Sequence, residues 1–214
     1  MATWGDVRDV FAACGAAARE GLAAADGRWD DPALGSWTVG ELGAHMVRLA
    51  GSPAVYLSAE VPPDLPTLVD AGAYFASYLS GGEEGRAAVA QRARDELQGF
   101  GGTDSVVESF DRALQSSLRA FESLSAPFPT LGTPYGLIAL DEYLVTRVVE
   151  LTIHGLDLAH ALNLEWEPAH SGLRITLKTL ADTAAHGPDG GRGVVGALSG
   201  RDWPGTEEAI PILR

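Results

Sequence analysis

Apolar positions in this chain recur at three- and four-residue steps far more often than at two, and that rhythm predicts helices almost throughout. From Thr3 to about Ala25, the residues Trp4, Val7, Phe11, Cys14, Ala18 and Leu22 share one face of an amphipathic helix. Gly27 and Pro32 bracket a connection, after which Thr38 and Glu41 fit a capping box and open a second helix through Leu42, His45, Met46 and Leu49. That helix is expected to end near Ser52-Pro53 or to continue past a kink to Ala59. Val61 to Pro66, with three prolines, reads as a loop. Residues 68–79 then form a short helix closed by Gly81-Gly82, and residues 83–100 a polar, Ala- and Arg-rich helix whose charges make a solvated face. Thr103-Asp104 opens the next helix, with Val106, Phe110, Leu114, Leu118 and Phe121 on one side, and it stops before Pro127.

Residues 126–136 hold three prolines and read as an irregular connection into a long helix from about Leu137 to Leu162. A further helix begins after Pro168, a Gly-rich turn follows at 186–193, and the remainder reads as a last helical turn with an extended tail. Strand-like alternation is almost absent, so the fold class is all-α, a four-helix bundle with additional short helices and a short C-terminal extension. Residues 1–165 are expected to form the bundle, and residues 166–214 a helix and tail packed on it.

The long helix carries the most informative pattern. At roughly 100° per residue, Tyr143, Arg147, Glu150, His154 and Asp157 fall within an arc of roughly 80° and form one polar stripe. Leu144, Leu151 and Leu158 run up one side of it, Val149, Ile153 and Leu156 up the other, and Val145, Val148, Gly155 and Ala159 occupy the back. A helix apolar or small on nearly every side is buried. Its charges therefore need partners or a metal ion, because an unpaired buried charge costs several kcal/mol.

Composition narrows the function classes. With 46% hydrophobic and 21% charged residues, the 214-residue chain has enough apolar material for one substantial core. A net charge of −14, with no cluster of Lys or Arg, excludes nucleic acid and anionic membrane surfaces as natural partners. No segment approaches the ~18 uninterrupted apolar residues of a membrane span and the N-terminus lacks a signal pattern, so a cytoplasmic protein is expected. Cys14 is the single cysteine, which rules out an internal disulfide and a cysteine zinc site. Of the fifteen basic residues fourteen are Arg, a mark of a GC-rich genome.

Glu150 and His154, at i and i+4, are able to point at one ion. The third ligand has to come from a facing helix, and His45 is the candidate, as the histidine that precedes the long helix and sits beside Leu42 and Leu49. Two imidazoles and one carboxylate leave coordination positions open, which suits Zn²⁺ with water or substrate, or Fe²⁺ or Ni²⁺. The alternative is a metal-free network, with Glu150 and His154 bonded to each other and His45 bonded to a backbone carbonyl. Arg147 and Asp157 have two readings as well. They form an ion pair, with Asp157 also fixing a ligand imidazole, or Arg147 faces the open site and receives an anionic group. His160, His170 and His186 read as surface or capping residues, and Tyr143 has no assigned role.

Two segments carry a family resemblance. WDDPALGSWTVGELGAHMVRLA (29–50) resembles the N-terminal signature of DinB-like metalloproteins, and RVVELTIHGLDLAHAL (147–162) resembles their later Arg, Glu, His, Asp helix. Together with AYFASYL (73–79) and AAVAQRARDEL (87–97), they make the chain similar to the mycothiol-dependent maleylpyruvate isomerase family of Actinobacteria over roughly residues 1–165. The resemblance implies a DinB-like four-helix bundle that binds a divalent metal, usually Zn²⁺, through His45, Glu150 and His154. It also implies mycothiol as the thiol cofactor, with Arg147 an active-site group, Arg147 and Asp157 on the cofactor side, and a small electrophilic substrate. The expected activity is cis–trans isomerisation or S-transfer through a metal-bound thiolate, the alternative being a non-catalytic metal- or thiol-binding bundle. Monomer and homodimer both fit.

Overall fold

The computed structural model describes residues 4–100, 105–122, 124, 128–201 and 212. Eight helices and one hairpin appear among them: α1 (Trp4–Ala23), α2 (Val39–Ser58), α3 (Ala71–Ser80), α4 (Gly82–Gly99), α5 (Val106–Glu122), β1 (Thr130–Thr133), β2 (Gly136–Ala139), α6 (Leu140–Leu162), α7 (His170–Ala185) and α8 (Arg192–Ser199). Helices α1, α5, α2 and α6 close into a ring in which each packs on the next, which is the expected four-helix bundle. Phe11, Leu22, Leu42, Met46, Phe110 and Leu144 fill its interior. The Thr3, Thr103 and Asp104 helix starts and most of the C-terminal tail lie outside the described residues.

Local sequence accounts for the helix ends. The capping box forms as expected, Glu41 N donating to Thr38 Oγ1 at 3.2 Å and Thr38 N to Glu41 Oε2 at 2.9 Å. Asp70 caps α3 by accepting from Ala73 N at 2.7 Å, and Asn163 takes the left-handed conformation (φ 53°) that ends α6. Helix α2 runs through Pro53 to Ser58, the longer of the two expected outcomes. Proline has no N–H for the carbonyl of Leu49, and Ser52 Oγ donates to that oxygen instead, at 3.3 Å. One position on, Ser117 of α5 donates to Ala50 O at 2.7 Å and accepts from Ala54 N at 3.4 Å. A neighbouring helix thus supplies the bonds that the proline disrupts.

The connection read as irregular contains the hairpin instead, and α6 begins at Leu140 rather than near Leu137. Thr130 to Thr133 pairs antiparallel with Gly136 to Ala139, and Thr133 Oγ1 donates to Gly136 O at 2.8 Å across the turn. Leu68 N and Leu137 O, and Leu137 N and Pro66 O, add 2.7 Å bonds that tie the proline loop to this hairpin. Four-residue strands are too short to show alternation, and the Pro66 to Leu68 segment that braces them is remote in sequence. Helix α7 packs on α3 and α6, and Trp166 leads into it by donating to Ala17 O at 2.8 Å while its ring occupies the space that a side chain at Gly155 would need.

Candidate metal centre and cavity

Burial of the α6 stripe follows from its neighbours: α1 and α7 cover its apolar sides, while the polar arc faces α2, α3 and the hairpin across a cavity of about 720 Å³. Tyr143 and Arg147 are nearly inaccessible, at 1% and 6% exposure, and Glu150, His154 and Asp157 follow toward the opening. The flank is less complete than the pattern implied, since Leu156 is 42% exposed and lines a shallow depression with Pro168, His170 and Leu173 at the start of α7.

His45 arrives from α2 opposite Glu150. Its Nε2 lies 3.6 Å from Glu150 Oε2, and His154 Nε2 lies 3.2 Å from the same oxygen. One donor atom from each of the three residues falls within 4.8 Å of the other two. Ligand atoms about 2.0–2.2 Å from a Zn²⁺ ion are separated from one another by distances of this order, so the donor set fits a divalent cation. Further along α6, His154 Nδ1–H donates to Asp157 Oδ2 at 2.9 Å, which turns Nε2 toward the shared site, where its lone pair becomes available once the ring is neutral. His45 packs edge-to-face on Trp37, centroids 5.3 Å apart, and on His154 at 5.1 Å, so neither imidazole is free to turn away.

The electrostatics are those of a cation site holding a proton. Burial pulls His154 down, but the hydrogen bonds to Asp157 and Glu150 outweigh it and raise its pKa to about 9. Burial dominates at His45 and lowers it to about 4, helped by positive charge on His154 and Arg147. Burial works against the charge of Glu150, yet its bonds to His154 and His45 hold it well below the usual carboxylate range.

Arg147 and Asp157 do not pair. Ten residues of helix separate them by about 15 Å along the axis, so one stripe does not make one contact. Arg147 Nε instead donates to Thr146 Oγ1 at 3.0 Å and its Nη2 to Tyr74 Oη at 3.4 Å, with the guanidinium 4.7 Å from the Tyr143 ring centroid and 5.7 Å from that of Tyr74. Among the described residues no carboxylate lies within ion-pair distance of it, and burial is offset by Tyr143, Tyr74 and Glu150, which keep it charged. Tyr143, unassigned from the pattern, donates to Ser52 Oγ at 2.8 Å and anchors the floor to the proline break in α2. His160, His170 and His186 are exposed, as expected, with His186 at the end of α7 facing Asp70.

The profile of the mycothiol maleylpyruvate isomerase N-terminal domain matches residues 10–159. The chain belongs to this family. Searches of curated proteins and of solved structures return no match. The matched span begins in α1 and ends in α6, so it takes in most of those two helices, all of α2 and α5, and every residue of the His45, Glu150, His154 cluster. In this member of the mycothiol maleylpyruvate isomerase family, the cavity is completed by residues that helical periodicity did not single out. Trp37, Tyr74 and Tyr135 line it, and so do Arg86 and Arg92 of α4. The charges of α4 are therefore not simply a solvated face: Arg94 pairs with Glu41 at 3.1 Å and Glu96 with Arg48 at 2.8 Å, fastening that helix to α2. No described helix is long and apolar enough to cross a membrane.

Proposed function

We propose that this protein is a metal-dependent enzyme that uses mycothiol to act on a small electrophile, with His45, Glu150 and His154 as the metal ligands. The observation that carries the reading is the convergence of two imidazole Nε2 atoms on one carboxylate oxygen at the wall of a large cavity, in a chain of this family. Three protein ligands leave at least one position for an exogenous group, as catalytic sites do. A divalent ion there, Zn²⁺ by ligand type, supplies Lewis acidity that lowers the pKa of a thiol sulfur, so that a thiolate is available at neutral pH.

The chain's own residues do the remaining work. Asp157 fixes the tautomer and orientation of His154. Trp37 and His154 brace the His45 ring. Arg147, charged and without a carboxylate partner, receives an anionic group of substrate or cofactor roughly one helical turn from Glu150. Helix α4 lines one side of the cavity with Ala87, Val89, Ala90 and Arg92. No nucleophilic side chain is needed, and Cys14 is buried in contact with Thr152, away from the cavity. With mycothiol bound, the site would supply thiolate addition chemistry: reversible addition and release would isomerise a cis double bond, and addition with a proton delivered to the neighbouring carbon would give a thioether conjugate.

The test is to incubate metal-loaded protein with mycothiol and an activated alkene or alkyl halide and to follow the substrate. Consumption that requires metal, mycothiol and Arg147 supports the reading. Binding of metal and mycothiol with no turnover of any electrophile would leave a non-catalytic ligand-binding bundle.

A further inference from the structure

The chain has five tyrosines, and all five line this one cavity. They come from four places in the sequence: Tyr56 from α2, Tyr74 and Tyr78 from α3, Tyr135 from the hairpin turn, and Tyr143 from α6. Their rings form an unbroken edge-to-face series. Tyr56 meets Tyr143 at 5.4 Å between centroids, Tyr143 meets Tyr74 at 5.9 Å, Tyr74 meets Tyr135 at 5.0 Å, and Tyr135 meets Tyr78 at 5.8 Å. The inner members are buried and Tyr56, Tyr78 and Tyr135 are half-buried, so the wall runs from the floor toward the opening. Ordinary core packing does not gather every tyrosine of a chain around an open space. At the buried end of the wall stands Arg147, held over Tyr143 and Tyr74 without a carboxylate partner.

We infer that the small-molecule ligand of this cavity is an aryl carboxylate, with its ring against the tyrosine wall and its carboxylate on Arg147. A planar aromatic body matches the wall, because aromatic rings gain from edge-to-face and offset contacts beyond the area they bury. A carboxylate matches the guanidinium, whose fork of donors binds two oxygens at once. The cavity, about 720 Å³, has ample room for a fused bicyclic acid. The inference rests on the function proposed above and deepens it by naming the groups by which the substrate is recognised, an aryl ring and a carboxylate, yet it stands on residues other than the metal ligands.

The experiment is calorimetric titration of 2-naphthoate, its neutral analogue 2-naphthamide, and the aliphatic dianion succinate into metal-free and Zn²⁺-loaded protein. Naphthoate is expected to bind at least ~10-fold more tightly than either of the others, with and without metal. Arg147→Gln should abolish the preference for acid over amide. Tyr135→Ala, at the half-exposed hairpin turn, should weaken naphthoate ~10-fold and leave succinate unchanged. Naphthoate binding no tighter than succinate or the amide in the wild-type protein overturns the inference, and that comparison depends on no variant folding. If naphthoate behaves as expected in protein that binds no metal, the metal–thiol reading fails alone; if metal and mycothiol bind while naphthoate does not, the aryl carboxylate assignment fails alone.

Discussion

At the scale of single residues, the site depends on how each imidazole is held. Asp157 touches one ligand and no part of the space between the three donors, so Asp157→Asn should retain the metal but bind it more weakly, by ~10- to 100-fold in a competitive chelator titration. An unchanged affinity would remove Asp157 from the account. The two histidines also make the metal-free protein sensitive to pH on both sides. His154, raised from 6.5 to about 9, contributes stability that is complete below pH 6.5 and lost as pH rises toward 9. His45, lowered to about 4, stays neutral in the fold while the unfolded chain takes up a proton, so stability is lost as pH falls from 6.5 toward 4. Melting temperatures of chelator-treated protein should therefore peak near pH 6.5, and Zn²⁺, which binds neutral imidazoles, should abolish the alkaline decline. The five stripe residues were legible from their spacing, and so was His45 once a third ligand was required. The pairing of Arg147 was not, because angular position on a helix says nothing about the 1.5 Å rise that separates Arg147 from Asp157.

At the scale of elements, two features shape the cavity without contributing to the ligand set. The first is the break in α2 at Pro53, where Ser117 bonds both Ala50 O and Ala54 N. Ser117→Ala leaves these buried groups without that partner and should cost about 1–3 kcal/mol, read from the denaturant midpoint at constant slope. The second is α4, which buries only Ala93 and is fastened by the Arg94–Glu41 and Glu96–Arg48 pairs. Charge pairs of this exposure weaken with salt while apolar packing does not. Amide exchange in α4 should thus accelerate between low and high salt, or in Glu96→Gln, with little change in α5 or α6. Equal protection at all salt concentrations would mean that something else secures the helix. The helices themselves were readable from periodicity and capping, down to the Thr38–Glu41 box. The hairpin was not, since its strands are short and its stabilising bonds reach back to the Pro66 loop.

At the scale of the whole molecule, a ring of four helices brings α2 and α6 face to face, and this alone converts residues about a hundred positions apart into one cluster. The all-α class and the family were legible because the apolar rhythm and two short motifs each extend over a helix that builds the site. The tyrosine wall was hidden, because its members are scattered over four elements and only the closed fold assembles them. The central claim is that His45, Glu150 and His154 hold a divalent metal. Elemental analysis of protein purified without chelator tests it most directly: close to one metal per chain is expected, mostly lost in His45→Ala and His154→Ala. Wild-type protein that contains no metal, and whose melting temperature does not rise on addition of Zn²⁺, would contradict it.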